Sequence, residues 1–193
     1  MISWWWLRHG PTHAKGLVGW SDVPADLSDH DTLSRLRGFL PQEAALVSSD
    51  LVRASATADA VSHPGHLRLP ANPAIREFNF GEWEMLDFNE VAARNPALAL
   101  QFWQDPGDVS TPGGESWNDL SARVARWVDE MHQNAPHRHI IAVAHFGVIL
   151  TQLQRALGVS AKEVMRHRID NLSVTRLDWD GSGWTVSAIN QLP

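Results

Sequence analysis

The sequence predicts an α/β protein in which helices cover both faces of a mostly parallel, mixed β-sheet, giving a three-layer sandwich with a C-terminal β-hairpin. Three observations predict this fold. Short apolar runs of strand length alternate along the chain with segments of helical apolar spacing, as in repeated βαβ units. The runs are nearly continuous, which is typical of strands covered on both faces. Two short runs around a glycine-rich turn then close the chain, as a hairpin does.

The first strand is predicted over residues 2–7, a nearly continuous apolar run that ends before an arginine, a histidine and a glycine. Because side chains alternate along a strand, Trp4 and Trp6 should point to one face and Trp5 to the other. The tryptophans are therefore expected to bury this strand and hold it rigid.

The next elements continue the alternation of helix and strand. Residues 44–48 form a second apolar run, followed by a helical segment that contains Arg53 and residues 54–60. Prolines and a glycine interrupt residues 63–73, which predicts a loop with at most one short strand. Before these elements, three leucines at helical spacing and a following proline predict the first helix: Leu33, Leu36, Leu40 and Pro41.

The second half of the chain repeats this pattern. Residues 114–116 open a helix with one apolar face, and residues 140–144 form the third buried strand. The helix at residues 148–157 ends at a glycine, a common C-cap. Residues 174–179 and 184–189 flank the turn of the final hairpin. The apolar face of the long helix consists of Leu120, Val124, Trp127, Val128 and Met131.

Composition excludes several classes of function. A chain of 193 residues predicts a single domain spanning 1–193. The net charge of −6 argues against nucleic-acid binding, which requires a basic surface. The chain has no cysteine, so it has no thiol nucleophile and no thiolate metal site. No apolar run reaches the length of a membrane span, and the N-terminus lacks the features of a signal peptide. We therefore expect a cytoplasmic protein with no membrane or nucleic-acid partner.

Candidate site residues follow three of the predicted strands. Arg8 and His9 come directly after the first strand, and Arg53 lies in the first turn of the helix after the second. His145 ends the third strand, just before a helix whose free N–H groups can bind an anion. Ligands of open α/β sheets bind beyond the carboxyl ends of the strands. The sequence therefore predicts that these side chains share one anion site.

These motifs resemble those of the histidine phosphatase superfamily, also called phosphoglycerate mutase-like. Four segments carry the resemblance, in the family's order and over nearly the whole chain. They resemble, in turn, the first-histidine motif, the second-arginine motif, the acid-bearing motif of the smaller phosphatases and the second-histidine motif. The segments are R-H-G-P-T at residues 8–12, residues 48–58, residues 76–84 and residues 142–149.

The resemblance implies a phosphoglycerate mutase-like fold and a metal-independent phosphomonoester hydrolase without cofactor, acting on a small phosphorylated metabolite. It implies that His9 is the nucleophile that forms phosphohistidine and that Glu77 is the general acid and base. Arg8, Arg53 and His145 would bind the phosphoryl oxygens. These residue types suit the chemistry, because a neutral imidazole attacks an anionic phosphate without charge repulsion. Arginine pairs with phosphate oxygens through parallel hydrogen bonds.

Some assignments stay open at the level of sequence. Glu82 lies close to Glu77 and is the alternative acid. Phe146 follows His145 where the family often has glycine; its backbone N–H is still expected to bind phosphate, while its ring would narrow the pocket. Lys15 occupies a position at which this family commonly has asparagine. Its side chain either contacts an anionic group or faces solvent. His13 is near enough to border the pocket.

The sequence leaves three alternative functions open. A mutase would need extra basic residues between the acid motif and the second histidine, but residues 88–115 offer only Arg94 among several acids, which favours a hydrolase. A non-catalytic phosphate-binding module is the second alternative. The histidines at 63, 66, 137 and 139 have metal-like spacing, but their polar, loop-like surroundings favour surface positions over a metal site.

Within the phosphatases of this family, residues 80–85 and 168–170 resemble the alpha-ribazole phosphatases.

Overall fold

The computed structural model describes residues 1–193 and contains one six-stranded sheet of order β3-β2-β4-β1-β5-β6. The four strands from β3 to β1 are parallel, whereas β5 is antiparallel to β1 and pairs with β6 as a hairpin. The predicted mixed sheet and C-terminal hairpin are therefore confirmed. The strands are β1 Ile2–Arg8, β2 Ala44–Ser48, β3 His66–Arg68, β4 His139–Ala144, β5 Val174–Trp179 and β6 Trp184–Gln191.

Helices cover both faces of the sheet, as predicted. One buried apolar cluster contains side chains of α1 and α2, and a larger cluster on the other face contains side chains of α3 to α7. Two short 3₁₀ turns lie at Pro73–Ile75 and Gly81–Trp83. No helix combines the length and the apolar content that a membrane span needs. The helices are α1 His30–Phe39, α2 Val52–Val61, α3 Phe88–Arg94, α4 Pro96–Gln104, α5 Trp117–Gln133, α6 Phe146–Leu157 and α7 Ala161–Val164.

The tryptophans of β1 anchor this central strand on both faces. Trp4 and Trp6 are fully buried on one face, where their rings stack with centroids 5.2 Å apart and meet Trp127 of α5 edge-on. Trp5 points to the other face and packs against Phe39 of α1. Aromatic side chains bury more apolar area than any others, so β1 is held firmly between the two helical layers. Its carboxyl end is consequently a rigid platform.

Helices α3 and α4 are not predicted from the sequence. They have 7 and 9 residues, too short for a helical period to stand out from a mixed segment. Local capping defines them instead. Asp87 and Glu90 form a capping box at the start of α3, and Pro96 occupies the first turn of α4, where its missing N–H costs nothing. The short helix α7 is likewise absent from the prediction.

Candidate active site

The sheet order brings the candidate residues to one edge. Strands β2, β4 and β1 are neighbours, so Arg53, His145 and the Arg8–His9 pair all lie at adjacent carboxyl ends. Arg8, His9, Arg53 and Glu77 line a pocket of about 180 Å³. The remaining lining residues belong to the loop after β1 and are Thr12, Ala14, Gly16 and Val18.

His9 is buried and has one ring nitrogen committed to the protein. Its Nδ1–H donates to the carbonyl of Gly10 at 2.7 Å, which leaves Nε2 with its lone pair and no protein partner. The pKa of His9 is lowered to about 3, chiefly by burial, and the nearby cations Arg53 and Arg8 contribute in the same direction. Asn171 fixes the backbone by donating from Nδ2 to the carbonyl of His9. The imidazole is therefore neutral at pH 7 and oriented.

Arg8 is held by contacts on two sides. One of its terminal nitrogens donates to the carbonyl of Ile169 at 2.6 Å, and its guanidinium lies 5.3 Å from the centre of the Phe146 ring, a cation–π distance. Its Nε is buried without a hydrogen-bond partner. A buried donor of this kind calls for an acceptor.

Arg53 is almost fully buried and is oriented by the loop after β1. Its two terminal nitrogens donate to the carbonyls of Ser21 and Gly19, at 2.9 and 2.6 Å. The carboxylate of Glu84 holds that loop in turn, because it accepts the backbone N–H groups of Gly19, Trp20 and Ser21. The orientation of the Arg53 guanidinium thus depends on a loop whose conformation is stabilised by Glu84.

His145 has no exposed surface, and its ring centroid lies 5.0 Å from that of His9. Neither of its ring nitrogens has a hydrogen-bond partner in the protein. Burial lowers the pKa of His145 well below its usual range, and the neighbouring His9, Arg53 and Arg8 add to this effect. A fully buried imidazole with two unsatisfied nitrogens is costly for the fold.

Glu77 is buried between the pocket and the start of α6. Its carboxyl accepts the N–H of Phe78 at 2.9 Å and the N–H of Gly147 at 3.1 Å. The Trp20 indole and the Arg123 guanidinium both donate to its backbone carbonyl. Burial raises the pKa of Glu77 above its usual value, and the two N–H bonds offset part of that rise. A carboxyl with a raised pKa keeps its proton to higher pH.

Glu82 differs from Glu77 in its exposure and in its position relative to the pocket. It is exposed on the 3₁₀ turn Gly81–Trp83 and does not line the pocket. Of the two glutamates that the sequence leaves open, only Glu77 lies beside His9 and the arginines.

Four of the predicted site residues do not line the 180 Å³ pocket, namely His13, Lys15, His145 and Phe146. Lys15 is exposed and makes no hydrogen bond or ion pair, and His13 is exposed with its Nε2 2.8 Å from a carboxylate oxygen of Asp26. Phe146 places its ring beside Arg8 and its backbone at the start of α6.

The remaining histidines lie away from the site. His137 and His139 line a cavity of about 460 Å³ together with residues 41–43, at the amino ends of β2 and β4 and therefore at the opposite edge of the sheet. No group of three histidine, aspartate or glutamate side chains is placed to hold a metal ion.

Several supporting residues are not found by reasoning from the sequence. Asn171, Glu84 and Arg123 act on backbone groups that are distant in the chain, and no local pattern marks such contacts. Gly147 carries a weak signal, as a glycine two residues after the second-histidine position. A Cβ at this position would lie 2.6 Å from Oε1 of Glu77, so the glycine permits the close approach of the Glu77 carboxyl.

Comparison with known proteins decides the family. Residues 4–192 match the sequence profile of the histidine phosphatase superfamily (branch 1). The chain belongs to the histidine phosphatase superfamily. The resemblance of the four motifs is therefore confirmed, and the phosphoglycerate mutase-like fold agrees with it.

Several known proteins are similar to the chain over nearly its whole length. The adenosylcobalamin/alpha-ribazole phosphatase of Escherichia coli is 26% identical over 96% of this chain and 94% of its own. A solved structure of the mycobacterial glucosyl-3-phosphoglycerate phosphatase with VO3 has a TM-score of 0.85 at 26% identity, over 98% of this chain and 99% of that one. The bifunctional protein Rv2228c of Mycobacterium tuberculosis is 32% identical over 96% of this chain. The chain spans only 52% of that relative.

Proposed function

We propose that the chain is a metal-independent phosphomonoester hydrolase that acts through a phosphohistidine on His9. One observation carries the proposal: the neutral imidazole of His9, with a free Nε2, lies beside buried nitrogens that have no hydrogen-bond partner. These are Nε of Arg8 and the ring nitrogens of His145. A phosphoryl group would accept hydrogen bonds from Nε of Arg8 and from a ring N–H of His145, beside the nucleophile.

In the first step, Nε2 of His9 attacks phosphorus in line with the ester oxygen. A P–N bond forms while the P–O bond to the alcohol breaks, and Glu77 gives its proton to the departing oxygen. The positive charges of Arg8 and Arg53 stabilise the equatorial oxygens, whose charge is greatest in the transition state. Dianionic phosphate would also favour the protonated form of His145 and so add a third cation.

In the second step, water replaces the alcohol. The Glu77 carboxylate, now deprotonated, takes a proton from this water as its oxygen attacks phosphorus. The P–N bond breaks, inorganic phosphate leaves, and His9 and the Glu77 carboxyl return to their starting forms. The two steps together consume one ester and one water.

The surroundings of Glu77 support hydrolysis over mutase chemistry. A mutase must retain a phosphorylated product, which needs additional cations near the acid. In this protein the segment after Glu77 instead contributes the aromatic side chains Phe80, Phe102 and Trp103 to the space beside it. Such a wall offers no charge to a second phosphate.

The proposal is tested by trapping the intermediate. Wild-type protein mixed with a ³²P-labelled phosphomonoester and quenched in base should carry an acid-labile label, whereas His9→Ala should carry none. Turnover of p-nitrophenyl phosphate should fall on the order of 10⁴-fold, as expected when a nucleophile is removed. His30→Ala, an exposed histidine at the start of α1, is the matched control. Ordinary turnover by folded His9→Ala would refute the mechanism, and binding of phosphate without label would indicate a non-catalytic module.

A further inference from the structure

A second cavity adjoins the phosphate pocket and shares Glu77 with it. This aromatic cleft has a volume of about 80 Å³, and seven of its nine lining residues are apolar. Its walls come from the loop that carries Glu77, from α4, from the starts of α5 and α6, and from the residue after α7. The side chains that matter here are Phe78, Phe80, Phe102, Trp103, Phe146 and Met165.

The position of the cleft matches that of the leaving group. If Glu77 protonates the departing oxygen, that oxygen lies within hydrogen-bonding distance of the Glu77 carboxyl. Glu77 lines both the phosphate pocket and the aromatic cleft. The carbon attached to the oxygen is therefore directed past Glu77 and into the cleft.

The cleft offers little to a hydroxyl group. Its two polar lining residues, Glu77 and Gly147, are already bonded to each other, and the indole N–H of Trp117 donates to Gln154. The remaining surface is almost entirely aromatic ring and thioether. A sugar hydroxyl placed there would lose its water without gaining a partner, whereas an aromatic ring would gain packing.

The ring of Phe146 separates the two kinds of surface. It lies 5.3 Å from the Arg8 guanidinium and also lines the aromatic cleft. The cations therefore face the phosphoryl group on one side of this ring, and the apolar side chains face the alcohol on the other. Trp103, which is 37% exposed, forms the outer wall. The small volume admits a single ring or a short alkyl group.

We propose that the substrates are phosphate monoesters of aryl or short-chain alkyl alcohols, in which the carbon next to the ester oxygen carries an apolar group instead of a polyhydroxylated sugar. This inference rests on the proposed hydrolase function, because it takes Glu77 as the acid that fixes the path of the alcohol. The aromatic cleft recognises that apolar group.

The test compares benzyl phosphate with glycerol 1-phosphate. Both release a primary alcohol, so both need a proton from the acid and differ chiefly in the group that enters the cleft. The wild-type kcat/KM should favour benzyl phosphate by roughly tenfold or more, the range expected for an apolar pocket. Trp103→Gln and Met165→Gln, at two other lining positions, should each reduce that preference several-fold. The loss of kcat/KM should be larger for benzyl phosphate than for glycerol 1-phosphate.

Leu100→Gln is the matched control, since it makes the same change on the same helix at a residue that does not line the cleft. It should leave the preference intact. Equal kcat/KM for the two esters, or a preference unaffected by both cleft variants, would overturn the substrate class while leaving the hydrolase in place. Absence of both phosphate release and phosphohistidine with either ester would instead refute the proposed function itself.

Discussion

In the proposed mechanism, the carboxyl of Glu77 donates a proton in the first step and accepts one in the second. Burial raises the pKa of its carboxyl, whereas the N–H groups of Phe78 and Gly147 and the charge of Arg53 lower it. The two influences oppose each other, and burial is the larger of them. A carboxyl balanced in this way can hold a proton for the first step and accept one in the second.

The acid assignment predicts a dependence on the leaving group. Glu77→Gln should slow alcohol release from benzyl phosphate by roughly 10²-fold or more, because an alkoxide cannot leave without a proton. The loss should be much smaller for p-nitrophenyl phosphate, whose phenolate leaves unaided. Burst-phase kinetics are required, since hydrolysis of phosphohistidine can limit the steady state. Glu82→Gln, at the exposed position, should show neither loss; a leaving-group effect in this variant alone would transfer the role to Glu82.

The short distance between Gly147 and the Glu77 carboxyl predicts that a side chain at position 147 reduces activity. A Cβ at position 147 would lie 2.6 Å from Oε1 of Glu77. Gly147→Ala should therefore displace the Glu77 carboxyl by about 1 Å. A displacement of that size can reduce turnover by about 10²-fold. The melting temperature should change little, since a flexible side chain can move aside. Gly38→Ala, in α1 with open space around it, is the control, and equal activity in both variants would contradict the prediction.

At the level of elements, the loop after β1 is a structural support for Arg53. The Glu84 carboxylate accepts five hydrogen bonds within this region, from the backbone of residues 19–21, the Ser21 hydroxyl and the backbone of Phe80. The carbonyls of Gly19 and Ser21, which hold Arg53, belong to the same loop. We therefore infer that Glu84 is a positioning residue for the phosphate site.

Glu84→Gln should weaken anion binding more than it weakens the fold. Glutamine replaces one carboxylate oxygen with an NH2 group, which cannot accept hydrogen bonds. About half of the five hydrogen bonds to Glu84 are therefore lost. The inhibition constant of vanadate should rise roughly tenfold, which corresponds to the loss of one charge-assisted hydrogen bond. The readout is that constant beside the melting temperature. A lower melting temperature with an unchanged vanadate constant would show a purely structural role.

The elements that the sequence predicts are those with a strong local pattern. Strands β1, β2 and β4 are continuous apolar runs, and α5 has a complete apolar face, so the period alone identifies them. Helices α3 and α4 are missed because caps and a proline define them in a segment without a long period. Phe102 and Trp103 of α4 nevertheless line the aromatic cleft, so the proposed binding site of the alcohol includes an element that the sequence does not predict.

Within the site, too, the residues that the sequence identifies are those with a local sequence pattern. Arg8, His9, Arg53, Glu77 and His145 each follow a strand end or a recognisable motif, and the structure brings all five together. Asn171 and Glu84 act across large distances in the chain, and their contacts arise only after the loops fold back over the sheet edge. Side-chain motifs can therefore be read from the sequence, whereas the backbone supports that orient them cannot.

On the scale of the whole molecule, an acidic protein concentrates cations at one edge of its sheet. The net charge is −6, yet Arg8 and Arg53 lie together beside two buried histidines. Burial lowers the pKa of both histidines, and the arginines contribute in the same direction. The site that is suited to an anion is therefore destabilised by any further positive charge, and lowering the pH adds such charge.

This predicts a loss of stability in mild acid. The pKa of His9 is about 3 in the folded protein, against an ordinary value near 6.5. Between these values the unfolded chain binds more protons than the folded one, so the free energy of unfolding falls as the pH falls. The slope from one such histidine reaches about 1.4 kcal/mol per pH unit. Glu77, whose pKa is raised, acts in the opposite direction and offsets part of it.

The measurement is urea unfolding between pH 7 and pH 4.5 for wild type and His9→Asn. Asparagine cannot titrate, but its amide can donate to the Gly10 carbonyl as Nδ1 of the histidine does. Its unfolding free energy should fall less steeply with decreasing pH, by up to about 1 kcal/mol per unit, while a residual slope from His145 persists. His30→Asn, at an exposed position, should follow the wild-type slope. An identical slope in His9→Asn would mean that His9 is not held neutral in the folded protein, which removes the basis for its role as a neutral nucleophile.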